Sequence, residues 1–117
     1  MTAGAHSFVN LYERLRKSWS IDTGSPWRPD SPASGQCGVT ALVVQDLLGG
    51  KILKTDVNGS WHFYNMIDGK RIDFTMSQFE TPICYDDLLS CREEAFNDAS
   101  PGQYELLGQR LRETGAE

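Results

Sequence analysis

Cys37, His62 and Asp73 occur in that order along the chain, 25 and then 11 residues apart, and are the residue types that nucleophilic thiol catalysis needs. A thiol attacks as its thiolate and so needs a base, and an imidazole base needs a partner that holds its ring and tautomer. Cys37 stands where a loop-like stretch gives way to an apolar run, in "SPASGQCGVTALVVQDLLGG". A cysteine in the first turn of a helix lies among unpaired backbone N–H groups at the positive end of the helix dipole. These groups stabilise a thiolate and can receive an oxyanion. Gln36 is a second candidate oxyanion donor, or else a residue that closes the preceding loop. Of the two histidines, His6 falls in a terminus expected to be loose, which leaves His62 as the base.

The elements that must position these groups follow from hydrophobic period and turn chemistry. Residues 7–19 place Phe8, Leu11, Tyr12, Leu15 and Trp19 at helical spacing with charged residues between them, which predicts an amphipathic helix. Residues 20–35 hold Gly24, Pro26, Pro29 and Pro32 and predict a long loop. The next helix, apolar around most of its circumference, starts at Cys37 and ends at Gly49-Gly50, as a central helix would. "KILKTDV", "SWHFYNMI" and "KRIDFT" then alternate with period two and are separated by Asn58-Gly59 and Asp68-Gly69, the dipeptides best suited to two-residue type I′ turns. Three antiparallel strands in a meander are expected.

Counting outward from the Asp68-Gly69 turn puts Ile67 opposite Lys70, Tyr64 opposite Asp73 and His62 opposite Thr75. His62 and Asp73 then become diagonal neighbours on one face, with Cβ atoms about 7 Å apart or less. The same face carries Leu53, Thr55 and Val57, and the other carries Ile52, Trp61, Phe63, Asn65, Ile67, Ile72 and Phe74. Asn65, away from His62, reads as structural. Trp19, Trp27 and Trp61 read as core or loop packing rather than a cleft. A working triad requires the Cys37 helix to cover the histidine face. Between residues 76 and 99 the pattern weakens, with a capping box at Ser90 and Glu93 as its one local signal. Ser100, Pro101 and Gln103 then open a last helix over roughly 101–113.

Composition bounds the function. A chain of 117 residues suits one domain with one modest core. Its 11 basic and 16 acidic residues give a net charge of −5 without long blocks, which argues against a nucleic-acid partner. No apolar run approaches the roughly 20 residues of a membrane span, and no signal-peptide pattern opens the chain, so a cytoplasmic setting is expected. Three cysteines without a C-x-x-C pair fit neither a disulfide framework nor a structural zinc site. Cys84 and Cys91 have no neighbouring base and read as inert. A zinc ion held by Cys37, His62 and Asp73 would be an unusual set of single mixed ligands, so no metal and no cofactor is expected.

The stretch "GQCGVTALVVQDLLGGKILKTDVNGSWHFYN", with "GKRIDFT" and "SQF" after it, resembles the small bacterial YunG-like proteins, in which a G-Q-C-x-V-T-A-L-V-V-Q-D segment precedes H-x-x-N and I-D-x-T strands. More broadly, cysteine on a helix start followed by histidine and aspartate on adjacent antiparallel strands is similar to the papain-like and transglutaminase-like core. That resemblance implies Cys37 as nucleophile, His62 as general base and acid, and Asp73 as orienting carboxylate, although the spacings are short and the substrate-binding lobes of larger members are missing. The expectation is an α+β domain in which the Cys37 helix packs on a meander of three or slightly more strands. Its function would be hydrolysis of, or acyl transfer from, an amide or thioester of a small-molecule or peptide substrate. A module of the same fold that binds a small molecule or a protein without turnover is the alternative.

Overall fold

The computed structural model describes residues 5–114, with side chains from residue 8 onward, so the side chain of His6 lies outside the described residues. The first helix, α1 (Ala5–Ser18), buries Leu11 and Leu15, one turn apart, and leaves Glu13, Arg16 and Lys17 in water. Trp19 follows it into the core, where the indole Nε1–H donates to Thr40 Oγ1 at 2.9 Å and ties this end of α1 to the next helix. That helix, α2 (Cys37–Leu48), is buried at every position from Cys37 to Val44. It stops at Gly49, whose φ of 75° is a conformation that glycine adopts without strain.

The meander forms β1 (Lys51–Val57), β2 (Ser60–Ile67) and β3 (Lys70–Ile72). Asn58-Gly59 and Asp68-Gly69 all have positive φ, as type I′ turns require. The register is the one that this turn chemistry dictates, with Thr55 opposite His62, Leu53 opposite Tyr64, and Ile67 opposite Lys70. β3 ends sooner than expected. Asp73 Oδ1 accepts the Thr75 backbone N–H at 3.1 Å, and the chain turns off into a short 3-10 turn at Met76–Gln78 instead of pairing further with β2. A two-residue strand, β4 (Leu88–Leu89), joins the other edge beside β1, giving the order β3-β2-β1-β4. Nothing in its local pattern marks it out.

Two helices close the chain. α3 (Arg92–Asp98) starts after Cys91, and the expected Ser90/Glu93 box does not form, because Ser90 Oγ donates to Glu94 Oε1 at 2.6 Å instead. α4 (Pro101–Thr114) has a reciprocal capping box: Gln103 N–H donates to Ser100 Oγ at 3.1 Å, and Ser100 N–H donates to Gln103 Oε1 at 3.0 Å.

The sheet lies between a helical layer and a loop layer. One apolar cluster joins Leu11, Leu15, Val39, Leu42, Val43, Leu107 and Leu111 of the helices to Ile52, Phe63, Ile67 and Phe74 of the sheet side. Asn65 Nδ2 donates to Ala41 O at 3.1 Å, confirming that α2 rests on this face. The Cys37 helix therefore does not cover the histidine face, contrary to the placement that a triad requires. The face with the larger aliphatic and aromatic groups gains most from an apolar helix. The other face presents Thr55, His62 and Tyr64, whose polar atoms need partners once buried. Residues 79–87 supply them: Thr55 Oγ1 donates to Cys84 O at 3.1 Å, and the Tyr64 hydroxyl donates to Asp87 Oδ1 at 2.9 Å. No helix among the described residues is long and apolar enough to cross a membrane.

Candidate functional site

His62 and Asp73 meet, although the ladder stops at Asn65 opposite Ile72 and the expected pairs of Tyr64 with Asp73 and His62 with Thr75 do not form. His62 Nε2 lies 2.7 Å from Asp73 Oδ2, and the two side chains are only 4% and 3% exposed. The Tyr85 hydroxyl also donates to Oδ2, at 2.8 Å, while the Thr75 backbone N–H and hydroxyl both donate to Oδ1 at 3.1 Å. Asp73 therefore accepts four hydrogen bonds and closes a sealed network. The imidazole is packed between the edge contact of Phe79, 4.9 Å between centroids, and the stacked ring of Tyr64 at 5.8 Å. Burial, followed by the hydrogen bond to Asp73, raises the Tyr85 phenol above its ordinary value.

Cys37 opens α2 as expected, but its partner is a different carboxylate. Its thiol donates to Asp98 Oδ2 at 3.6 Å, and the Gly38 N–H donates to the same oxygen at 3.1 Å. Asp98, the last residue of α3, thus fills the helix end where an oxyanion was expected. Burial, with the Asp98 charge second, pushes the thiol up from 9.0 to about 12, which keeps it protonated near neutral pH. Cys37 and His62 share no hydrogen bond; each is committed elsewhere. Gln36 is fully buried and closes the loop: its Oε1 accepts the Thr23 hydroxyl at 2.7 Å, and its Nε2 donates to the carbonyls of Ser20, Gly24 and Ser34. Of its two readings, that one fits the geometry, since no N–H is left for an oxyanion.

Asp98, the partner of Cys37, and Asp73, the partner of His62, border different spaces. A small cavity of about 340 Å³ is walled by Phe63, Trp61 and Asp98, close to Cys37. A larger one, about 700 Å³, opens at the β3 edge between α1, the end of β3 and residues 76–85, and has Asp73 and Tyr85 in its wall. Among the described residues no group of three or more His, Cys, Asp or Glu is arranged to hold a metal ion.

The model of the family described as YunG protein matches residues 7–115. The chain belongs to the YunG family. A relative from Bacillus subtilis (strain 168), called Uncharacterized protein YunG, is 54% identical over 93 residues, covering 80% of this chain and 81% of the relative. No solved structure matches the chain.

In this YunG-family chain the quoted motif maps onto α2 and the meander, and several of its residues hold those elements together. Asn65 bonds to α2, and Gln36 holds the loop before it. Two features lie outside the sequence reading: Asp98, 61 residues from Cys37, and the large cavity. The one local trace of the cavity is the run of Phe79, Pro82, Ile83 and Tyr85 in a segment with no regular period. Trp19 and Asn65 prove to be core residues, whereas Trp61 is half exposed with the Lys54 ammonium 4.2 Å from its ring centroid.

Proposed function

We propose that this protein binds a small, largely apolar molecule in the cavity at the β3 edge. The observation that carries the reading is the cavity itself, whose volume of about 700 Å³ falls among those of small-molecule sites. Val9 and Met76, 60% and 62% exposed, stand in its wall, so a ligand there removes apolar surface from water. The Tyr85 hydroxyl, held by Asp73, and the side chains of Ser77 and Thr81 are polar groups able to orient a ligand. Three free thiols suit a reducing, cytoplasmic setting.

The test is a neutral fluorescent probe, N-phenyl-naphthylamine. A saturable rise in fluorescence is expected, and Thr81→Trp, an exposed wall position filled by a large ring, is expected to abolish it. Equal binding by that variant would remove the cavity as the site.

A second reading is the thiol hydrolase or acyltransferase with a papain-like core, Cys37 attacking, His62 as base and Asp73 orienting it. The His62 to Asp73 hydrogen bond and the place of Cys37 at the start of α2 favour it. The thiol's bond to Asp98, its raised pKa and the packing of α2 on the sheet face away from His62 weigh against it.

A further inference from the structure

We infer that the ligand of the large cavity is an apolar organic cation, an amine or quaternary ammonium carried on a hydrocarbon or aryl body; this rests on the cavity being a binding site. Five aromatic rings, Phe8, Tyr12, Phe74, Phe79 and Tyr85, stand in the wall. The face of such a ring is negative, and a cation removed from water against it is stabilised. The wall already holds one cation in this way. The Arg71 guanidinium carbon lies 4.5 Å from the centroid of the Tyr85 ring.

Charge points in the same direction. Arg71 is the one Lys or Arg among the described lining residues, and its charge is compensated, since Nε and Nη2 each donate to an oxygen of Asp87 at 2.8 Å. Two carboxylates remain in the wall, Asp73 and Glu80. Asp73 already accepts four hydrogen bonds, so it contributes field rather than a free acceptor. Glu80 is exposed and makes no ion pair among the described residues, which leaves its oxygens available to an ammonium N–H. An entering anion meets this excess of negative charge within a chain of net charge −5, whereas a cation is drawn in by it. An apolar body satisfies the aromatic wall, and a single positive end satisfies the charge.

The experiment compares phenylbutylamine, phenylbutanol and phenylbutyrate, which share one apolar body and differ in charge. Each is titrated into the full chain at neutral pH and low salt while backbone amide NMR shifts are followed. The amine is expected to bind more tightly than the alcohol by on the order of threefold, the acid most weakly, with shifts centred on the residues of the cavity wall. Glu80→Gln is expected to narrow the gap between amine and alcohol while leaving the alcohol's affinity unchanged. Alcohol or acid binding as tightly as the amine overturns the cation inference and leaves the cavity as a site. If none of the three gives saturable shifts at the wall, both the inference and the binding reading fall.

Discussion

Asp98 takes hydrogen bonds from both the Cys37 thiol and the Gly38 N–H, so it occupies the helix end that would otherwise stabilise a thiolate. A carboxylate there favours the protonated thiol, the reverse of what a nucleophile needs. With the exposed Cys84 and Cys91 replaced by serine, iodoacetamide is expected to label Cys37 slowly at neutral pH and faster only well above it. Asp98→Asn, which removes the charge, is expected to speed labelling in mildly alkaline solution by about threefold to tenfold. Rapid labelling of the unaltered Cys37 below neutral pH would instead support a His62-paired thiolate and revive the enzyme reading. Asp73 is a different case: it holds His62, Tyr85 and Thr75 together, so Asp73→Asn is expected to lower unfolding free energy by about 2–4 kcal/mol in urea titrations.

At the level of elements, the contact between the end of α3 and the start of α2 depends on the missing side chain of residue 38. A Cβ built at Gly38 would lie 2.4 Å from Asp98 Oδ2, so alanine there must push the carboxylate away. Gly38→Ala is expected to cost about 1–3 kcal/mol. Combined with Asp98→Asn it is expected to cost less than the sum of the two single changes, because both disturb one contact; a cycle of urea titrations reads the difference. The meander was legible because its two turns are encoded locally. Asn-Gly and Asp-Gly tolerate the consecutive positive φ values of a type I′ turn, and the turn then dictates which residues face each other. β4 was not legible, since a two-residue edge strand depends on the β1 edge that it joins more than on its own sequence.

Over the whole molecule, the buried Cys37 thiol and Tyr64 hydroxyl and the half-buried Tyr85 hydroxyl share one pH dependence. Burial first, then contact with carboxylates, raises Cys37 from 9.0 to about 12 and raises Tyr64 and Tyr85 above their ordinary 10.0. In the unfolded chain each ionises at its ordinary value, so above pH 9 the folded state holds more protons than the unfolded one. Stability is then complete below the unfolded values and declines as pH climbs from 9 toward 12. Urea midpoints taken across that range are expected to fall, and the fall is expected to be shallower in Cys37→Ala.

By itself the sequence determined α1, α2 and α4 and the two hairpins with their register as far as Ile72, which delivers Asp73 beside His62. These features follow from residues close in sequence, whose period, caps and turn preferences act before any distant contact forms. It did not determine which sheet face α2 would cover, since Ile52, Phe63 and Ile67 on one side and Leu53, Thr55 and Tyr64 on the other both read as buryable. Tertiary structure decided that through two sums made over the whole chain. The larger apolar area went under the helix, and the buried hydroxyls and imidazole went under a loop whose carbonyls and carboxylates could partner them. The same choice set Cys37 beside Asp98 rather than His62, and left the open cavity at the edge where β3 stops.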